Sequence, residues 1–191
     1  VPITQGLVLT SGTADGIIGP VSSFASGGGL GPGDLDLNAE LGGMSPTYDA
    51  CVLEFDCVPI GDTLLFNFAF GSEEYPEFVN SSFNDIFAIY LSGPGFSPQQ
   101  NVAELPDGTP VAINNVNAGL NASFFVDNEA QSGQYVAYDG FTTNLTAFAV
   151  VVPGEAYHFK TAIADVSDGI FDSGVMLEAF SFRSMGGLST G

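Results

Sequence analysis

The sequence predicts an all-β fold, an antiparallel β-sandwich of jelly-roll type with long loops rich in Gly, Asp and Asn. Short segments of alternating apolar and polar residues recur along the 191-residue chain, and turn-forming residues separate them, among them 25 Gly and 11 Pro. Apolar residues make up 45% of the sequence and include 17 Phe, which is enough to fill a core. No internal repeat is visible, so we expect a single domain over residues 1–191.

Nine segments show the alternation that is typical of strands. They lie near residues 6–11, 50–58, 63–70, 85–92, 110–117, 122–127, 143–152, 156–165 and 173–183. Residues 11–47 are rich in glycine and are expected to form mostly irregular structure, with a short helical turn around residues 36–41. Leucines in this segment indicate that it packs against the domain, namely Leu30, Leu35, Leu37 and Leu41.

The two-residue period of a strand assigns side chains to faces. Three sets are expected to face the core: Cys51, Leu53 and Phe55; Leu64, Phe66, Phe68 and Phe70; and Phe87, Ile89 and Leu91. In the last strand, the same rule places Met176, Phe180 and Phe182 on one face.

The charge of the chain is strongly unbalanced, with 22 acidic side chains against two basic ones and a formal net charge of −20. Clustered carboxylates repel one another unless a cation neutralises them. Ca²⁺ binds about 6–8 oxygen ligands, so calcium is the expected cofactor. Two basic residues cannot form a phosphate-binding surface, which argues against nucleic acid as a partner. No apolar run reaches the roughly 18 residues of a membrane-spanning helix, so no transmembrane segment is expected.

The first candidate metal site follows a Phe-rich strand. Glu73 and Glu74 enter the loop FGSEEYPE, and Asp85 opens the next strand. A loop of this kind brings several oxygens within reach of one point, as calcium requires. An acidic loop exposed to solvent is the alternative.

The second candidate is the turn DVSDGIFDS, which contains Asp165, Asp168 and Asp172. Its density of acids resembles that of a calcium loop, although its spacing is not that of an EF-hand. A turn in which Asp side chains accept backbone hydrogen bonds explains one or two of the three.

The third candidate combines Asp34 and Asp36 with Glu54 and Asp56. Glu54 and Asp56 share one strand face, and we expect no Lys or Arg opposite them. Two such acids are unfavourable together unless a cation bridges them or water solvates them fully.

A fourth group is rich in amides and is the candidate site for a polar ligand, either a peptide or a sugar. Plain turns explain the same composition equally well. Its members are Asn114, Asn115, Asn117, Asp127, Asn128 and Asp139.

Catalysis is not expected. His158 is the sole histidine, lies in an alternating strand segment and has no nucleophile motif beside it. A pair of carboxylates that hydrolyses a glycoside is the enzymatic alternative, but nothing in the sequence selects a pair. Cys51 and Cys57 lie in one strand about 20 Å apart, beyond disulfide reach, and are expected to be free thiols on one buried face.

Several sequence motifs of this chain resemble those of the choice-of-anchor L domain of bacterial secreted and surface proteins. The resemblance extends in order over nearly the whole chain. Its motifs are 6–12 (GLVLTSG), 33–38 (GDLDLN), 48–56 (YDACVLEFD), 70–79 (FGSEEYPEFV), 82–87 (SFNDIF), 110–117 (PVAINNVN), 138–142 (YDGFT), 163–168 (IADVSD) and 172–175 (DSGV).

The resemblance implies a β-rich fold, an extracellular location and recurring acids, but no particular ligand. The recurring acids fall at Asp34, Asp36, Glu54, Asp56, Glu73, Glu74, Asp85, Asp165 and Asp172. Family members usually carry several dozen residues before the segment that matches 6–12, so we expect N-terminal strands of the family to be missing here. A sandwich without an edge strand exposes backbone groups that a neighbouring chain can pair with.

The leading hypothesis is a non-enzymatic, calcium-stabilised extracellular module, secreted or attached to the cell surface, that acts in adhesion. Its partner would be a peptide, a glycan or a protein. The second hypothesis is a structural subunit of an extracellular fibre or sheath, a homopolymer formed by strand complementation. A halophilic surface, whose acids hold hydrated cations without a specific site, is a further alternative.

Overall fold

Two antiparallel sheets form the domain, which confirms the predicted β-sandwich. The computed structural model describes residues 3–21, 25–43, 45–129 and 136–186. The strands in these ranges are β1 Gly6–Thr10, β2 Thr47–Cys57, β3 Thr63–Ser72, β4 Ile86–Gly93, β5 Phe96–Asn101, β6 Val111–Ala112, β7 Phe125–Asp127, β8 Gly140–Thr142, β9 Leu145–Val150, β10 Tyr157–Val166, β11 Ser173–Glu178 and β12 Arg183–Met185.

The first sheet is built around β3. Its order is β1-β11-β3-β8-β7, and β9 and β12 pair with the first half of β3 on either side. The second sheet has the order β2-β10-β4-β5, with β6 pairing to β4. The longest pairing joins β10 to β2, with a register shift between Ile163 and Asp165.

The core lies between the two sheets and follows the predicted parity. Phe68 and Phe70 of β3 are fully buried there, as are Phe87, Ile89 and Leu91 of β4. Inward residues of β2 are half-buried while Val52, Glu54 and Asp56 between them are exposed, as alternation predicts. The aromatic residues interlock, for example Phe55 stacked on Phe159 with ring centroids 5.2 Å apart.

Cys51 and Cys57 are both free and both half-buried, packed against the core, so the expected absence of a disulfide between them is confirmed.

The outer faces of both sheets are covered in part. Helix α1, Leu35–Glu40, lies on the second sheet and buries Leu37, which confirms the predicted helical turn. Asp34 caps this helix by accepting hydrogen bonds from the N–H groups of Asp36 and Leu37. A 3₁₀ turn, Ala14–Ile17, covers the first sheet, where Ile17 packs near Met176.

Several predicted strand boundaries are wrong. Residues 110–117 form only the short β6 and then turns, and residues 122–124 form a 3₁₀ turn before β7. The last predicted strand ends at Glu178, because Phe180 adopts a positive φ of 60° and reverses the chain. Phe180 is therefore exposed while Met176 is buried, and the two do not share a face.

Alternation in the sequence does not predict strands β5 and β8. The β5 sequence FSPQQN is polar and contains Pro98, which is typical of a loop but also tolerated in an edge strand. The three residues of β8 are too few to show alternation.

Candidate metal centre

One end of the space between the sheets is polar. On five neighbouring segments, the last side chain that faces the space between the sheets is not apolar but carries a buried hydroxyl or carboxyl group. We call this set the polar end, and it consists of Ser11, Ser72, Asp85, Asp165 and Ser173. Strand pairing brings the members of the polar end together. Ser173 is aligned with Ser72, and its carbonyl oxygen accepts a hydrogen bond from the backbone N–H of Ser11. Ala164 is aligned with Ile86, so the adjoining residues Asp165 and Asp85 lie beside each other.

Hydrogen bonds hold Asp85 in place. Its Oδ1 accepts from the backbone N–H of Val166 at 2.8 Å, and its Oδ2 accepts from the Ser173 hydroxyl at 2.7 Å. The Ser11 hydroxyl donates to the carbonyl oxygen of Ser173 at 3.2 Å and accepts from its N–H at 2.9 Å. The serines therefore connect three segments around one carboxyl group.

Asp165 is held less firmly. The residue is 1% exposed, and its carboxyl oxygens have no partner of good hydrogen-bond geometry among the described residues, although the Ser11 hydroxyl stabilises the carboxylate in part. Burial and the neighbouring charge of Asp85 both raise the pKa of Asp165, and the nearby Ser11 hydroxyl opposes the shift only in part. Two carboxylates without an intervening donor are stable together only if they share a proton or bind a cation.

More acids surround this pair. Burial, followed by the charges of Asp85 and Asp168, raises the pKa of Glu74 to about 9. Burial raises the pKa of Asp172 to about 6, although backbone N–H groups of the glycine-rich segment oppose the shift. Asp168 is half-buried and its Oδ1 accepts the N–H of Ile170 at 3.2 Å, as the turn interpretation predicted.

The glycine-rich segment wraps around acids of this end. Asp49 accepts hydrogen bonds from the N–H groups of Gly29 at 3.2 Å and Gly31 at 2.8 Å. At Gly12, a Cβ atom would overlap the carboxyl group of Asp172. Gly12 and Gly31 are thus required by the close approach of backbone to carboxylates, since a Cβ atom at Gly31 would lie 2.6 Å from Asp49.

Asp49 is a member of this group that the sequence motifs did not single out. Its charge raises the pKa values of Asp165 and Asp172, which places it in the same acidic group. The available signal was its position in the motif YDACVLEFD, as an acid two residues before Cys51.

Glu73 and Asp139 form a second buried acidic pair. Glu73 Oε1 accepts the N–H of Ala25 at 2.9 Å, while Glu73 Oε2 and Asp139 Oδ1 have no partner among the described residues. Burial, opposed in Glu73 by that hydrogen bond, raises the pKa of both groups to about 7, and the charges of Glu77 and Glu129 add to it.

The expectation that no basic residue lies opposite the third group of acids is wrong. Lys160 of β10 is aligned with Glu54, and its Nζ lies 2.6 Å from Asp34 and 2.5 Å from Asp36. This lysine ties the start of α1 to the second sheet. Its single positive charge is shared by Asp34 and Asp36 and offsets one of their two negative charges, which weakens the case for a metal there.

Glu54 and Asp56 also have a partner, the imidazole of His158. Its Nδ1 lies 2.8 Å from Asp56, and its Nε2 lies 3.8 Å from Glu54. All three side chains are substantially exposed. This arrangement is a solvated cross-strand cluster, which favours neither a metal nor catalysis there.

The amide groups of the fourth group are engaged within their own loops. Asn114 bonds the carbonyl of Ser81, Asn115 that of Pro110, Asn117 that of Ile113, and Asn128 those of Val136 and Tyr138. A ligand would have to displace these bonds, so the turn interpretation is favoured. Asp127 is exposed, and Asp139 belongs to the second acidic pair.

Oxygen atoms alone line the polar end: carboxylates, serine hydroxyls and backbone carbonyls, without His or Cys. This donor set suits a hard cation such as Ca²⁺. Within the described ranges, no group of three or more His, Cys, Asp or Glu side chains is already arranged to hold a metal ion. Hydroxyls, carbonyls and water would therefore complete any coordination by Asp85 and Asp165.

A family model, described as the choice-of-anchor L domain, matches residues 1–183 of this chain. No curated protein and no solved structure shows a significant match. In the part of the chain that the structure describes, no helix is both long and apolar enough to cross a bilayer.

Proposed function

Because this chain belongs to the choice-of-anchor L domain family, whose domains occur in bacterial surface or secreted proteins, we propose that it is a calcium-stabilised adhesion module. The family makes it a cell-surface-associated module. Calcium, the adhesive role and the absence of catalysis are our proposal. In this account the metal rigidifies one end of the sandwich, and a neighbouring surface binds the partner.

The observation that carries the calcium proposal is the poorly satisfied carboxyl group of Asp165. It is buried beside Asp85, its oxygens have no partner of good hydrogen-bond geometry among the described residues, and the Ser11 hydroxyl stabilises it only in part. Leaving a charged group buried without a partner is strongly unfavourable. A divalent cation between the two carboxylates removes the repulsion and supplies the missing partner at once.

Calcium is favoured over other cations by the chemistry of the site and by its setting. Zinc prefers nitrogen and sulfur ligands, and magnesium demands strict octahedral geometry. Extracellular calcium modules bind with dissociation constants of roughly 10⁻⁴–10⁻³ M, which a site of a few carboxylates can reach.

Burial also supports a role without catalysis. Asp85 and Asp165 are each 1% exposed, so a glycan chain cannot reach this carboxylate pair. The histidine is held in an exposed cluster with Asp56 and Glu54, away from any serine or cysteine nucleophile motif.

Thermal unfolding tests the calcium proposal. We expect the melting temperature to rise by about 5–10 °C when CaCl₂ replaces EDTA, since a ligand at 100 times its dissociation constant adds about 2.7 kcal/mol. NaCl at equal ionic strength is the control and should produce a much smaller rise. A melting temperature that follows total salt and ignores calcium would favour the halophilic alternative and contradict the proposal.

A structural subunit of a fibre is the second candidate. Strand β1 is at one edge of the first sheet, and Leu7 and Val8 are exposed beside a groove of about 520 Å³ that Ile18 and Met176 also line. A strand from another copy could pair at this edge. Sedimentation velocity over a range of protein concentrations, with electron microscopy of the native material, tests it. A monomer throughout, without fibres, would exclude this candidate.

A further inference from the structure

The first sheet has a second open edge, opposite the edge that β1 forms. Strand β9 pairs with β3, and no strand of the described residues pairs with its other side. At that side the edge faces β5, the last strand of the second sheet, and the two flank a groove of about 760 Å³. The sandwich is thus open along this flank.

Register shows which backbone groups of β9 are available. The N–H of Val151 bonds the carbonyl of Asp62, so at this position the backbone groups point towards the neighbouring β3. Because successive residues of a strand point to opposite sides, the N–H and C=O groups of Thr146, Phe148 and Val150 point to the open edge. Residues 146–150 therefore present a ladder that has no partner strand among the described residues.

The groove beside this ladder is apolar with polar margins. Phe96, Val102, Leu105 and Phe124 line it, and Phe148 and Val150 are 56% and 64% exposed at its rim. An added strand would place alternate side chains in this groove and complete the backbone ladder. An extended polypeptide matches both features, whereas a sugar cannot extend the backbone ladder.

Charge determines which polypeptide is favoured. Glu104 is the one ionisable side chain in the groove lining, and the whole chain carries a formal charge of −20. Arg183 lies two strands away, across β3. A second copy of this chain would bring another charge of −20, so electrostatics oppose self-association here. A basic segment is attracted instead.

We propose that the open edge of β9 binds an extended, basic segment of a partner protein as an added strand. The inference rests on the proposed adhesion function, for which it names the partner class and the surface. It does not depend on calcium binding. Edge strands invite such pairing unless charges or prolines protect them, and the exposed side chains of residues 146–150 carry no charge.

The test uses a fluorescein-labelled octapeptide of alternating Lys and Val, with binding followed by fluorescence anisotropy at about 150 mM NaCl. An alternating Lys–Gly peptide has the same charge but a low strand propensity and no apolar side chains. We expect the Lys–Val peptide to bind at least about tenfold more tightly, since only this peptide fills the groove. Equal binding of the two peptides would reduce the interaction to charge alone and overturn the inference.

Val150→Pro and Val150→Ala separate backbone pairing from side-chain contact. Proline removes an N–H that points away from β3, so the native ladder remains intact while the added strand loses a donor. We expect Val150→Pro to weaken Lys–Val binding by roughly tenfold more than Val150→Ala does. Equal affinities of the two variants would contradict strand addition.

Phe148→Lys provides a second variant if Val150→Pro fails to fold. It keeps the strand and places a positive charge at the rim, so it should weaken Lys–Val binding. Binding unchanged from the wild type would overturn the inference.

Sedimentation of the free protein tests whether a second copy of the chain occupies the edge of β9 instead. A dimer that Phe148→Lys disrupts would mean that a second copy fills this edge. Calcium-induced stabilisation is measured on the same samples, so failure of this inference is distinguishable from failure of the calcium proposal.

Discussion

Asp165 lies against Asp85 at the polar end of the sandwich, and only Asp85 has well-formed hydrogen bonds. Val166 and Ser173 donate to Asp85, whereas the oxygens of Asp165 have no partner of good hydrogen-bond geometry among the described residues, and the Ser11 hydroxyl stabilises them only in part. Such a pair binds one positive charge readily, either a proton or a metal ion. We assign this charge to calcium, and the effects of substitution, pH and metal removal separate the two possibilities.

Asp165→Asn should have opposite effects with and without calcium. In EDTA at about pH 8, the amide is neutral without having to bind a proton and donates a hydrogen bond to Asp85, so we expect a gain of about 1–3 kcal/mol in the free energy of unfolding. In CaCl₂ the variant should lose most of the calcium-induced rise in melting temperature. Differential scanning calorimetry in the two buffers measures both effects.

Asp15→Asn is the matched control, because Asp15 is an exposed acid in the 3₁₀ turn. It should leave the calcium-induced rise unchanged. If Asp165→Asn retained the full calcium response, the ion would have to bind elsewhere.

Without metal, the protein should lose stability as the pH rises, which is the reverse of ordinary acid denaturation. The pKa values of Glu74, about 9, and of Glu73 and Asp139, about 7, lie above those of the unfolded chain. The folded state therefore binds more protons, so the stability that these groups contribute is full below about pH 4 and is lost as the pH rises through 7 to 9. We expect a loss of at least about 4 kcal/mol between pH 5 and 8 in EDTA, the contribution of one group that stays protonated across this range.

Calcium should oppose this loss, because the ion takes the place of the protons. Urea unfolding at several pH values, with and without CaCl₂, measures the effect. Stability that increases from pH 5 to 8 in EDTA would show that these acids are not protonated in the native state.

Gly12→Ala should disturb the acidic end through Asp172. The added methyl group would overlap the Asp172 carboxyl group, and accommodating it costs about 1–3 kcal/mol in a packed site. Gly29→Ala is the control, because no atom lies within 4 Å of its added Cβ. Chemical denaturation of both variants measures the difference, and equal stabilities would show that Asp172 moves aside freely.

Lys160→Met should destabilise the chain whether or not calcium is present. The substitution leaves Asp34 and Asp36 beside each other without their cation, in a partly buried position. Since the pair is not fully buried, we expect a loss of roughly 2 kcal/mol. Arg183→Met, at an exposed position, should change stability much less. Similar urea midpoints for the two variants would contradict the structural role of Lys160.

Alternation in the sequence predicted the core because strand parity is a local property. Phe68, Phe87 and Ile89 are buried as their spacing requires. The same rule, extended by one step along each strand, also identifies the polar end, where Ser173 precedes Val175 by two residues and Ser72 follows Phe70 by two. Asp85 and Asp165 are predicted site residues that lie beside each other in the structure, and the charges of Asp85 and Asp172 act on Glu74 and Asp165 respectively.

The partners of the other acids could not be predicted from their spacing. Lys160 meets Asp34 across 126 positions of the sequence because β10 pairs with β2 beside α1, a long-range relationship that alternation does not encode. The amides of Asn117 and Asn128 were equally ambiguous, since loop hydrogen bonds and ligand contacts require the same groups. Strand β5 was missed because its polar sequence gives no apolar period.

The most direct test of the calcium account is a crystal structure of the protein grown in CaCl₂, with anomalous diffraction data to locate the ion. We predict one anomalous peak between the carboxyl groups of Asp85 and Asp165, with oxygen ligands at about 2.3–2.6 Å. An ordered pair of carboxyl groups in direct hydrogen-bond contact there, with no anomalous peak between them in saturating calcium, would show that a proton holds the pair and would contradict the account.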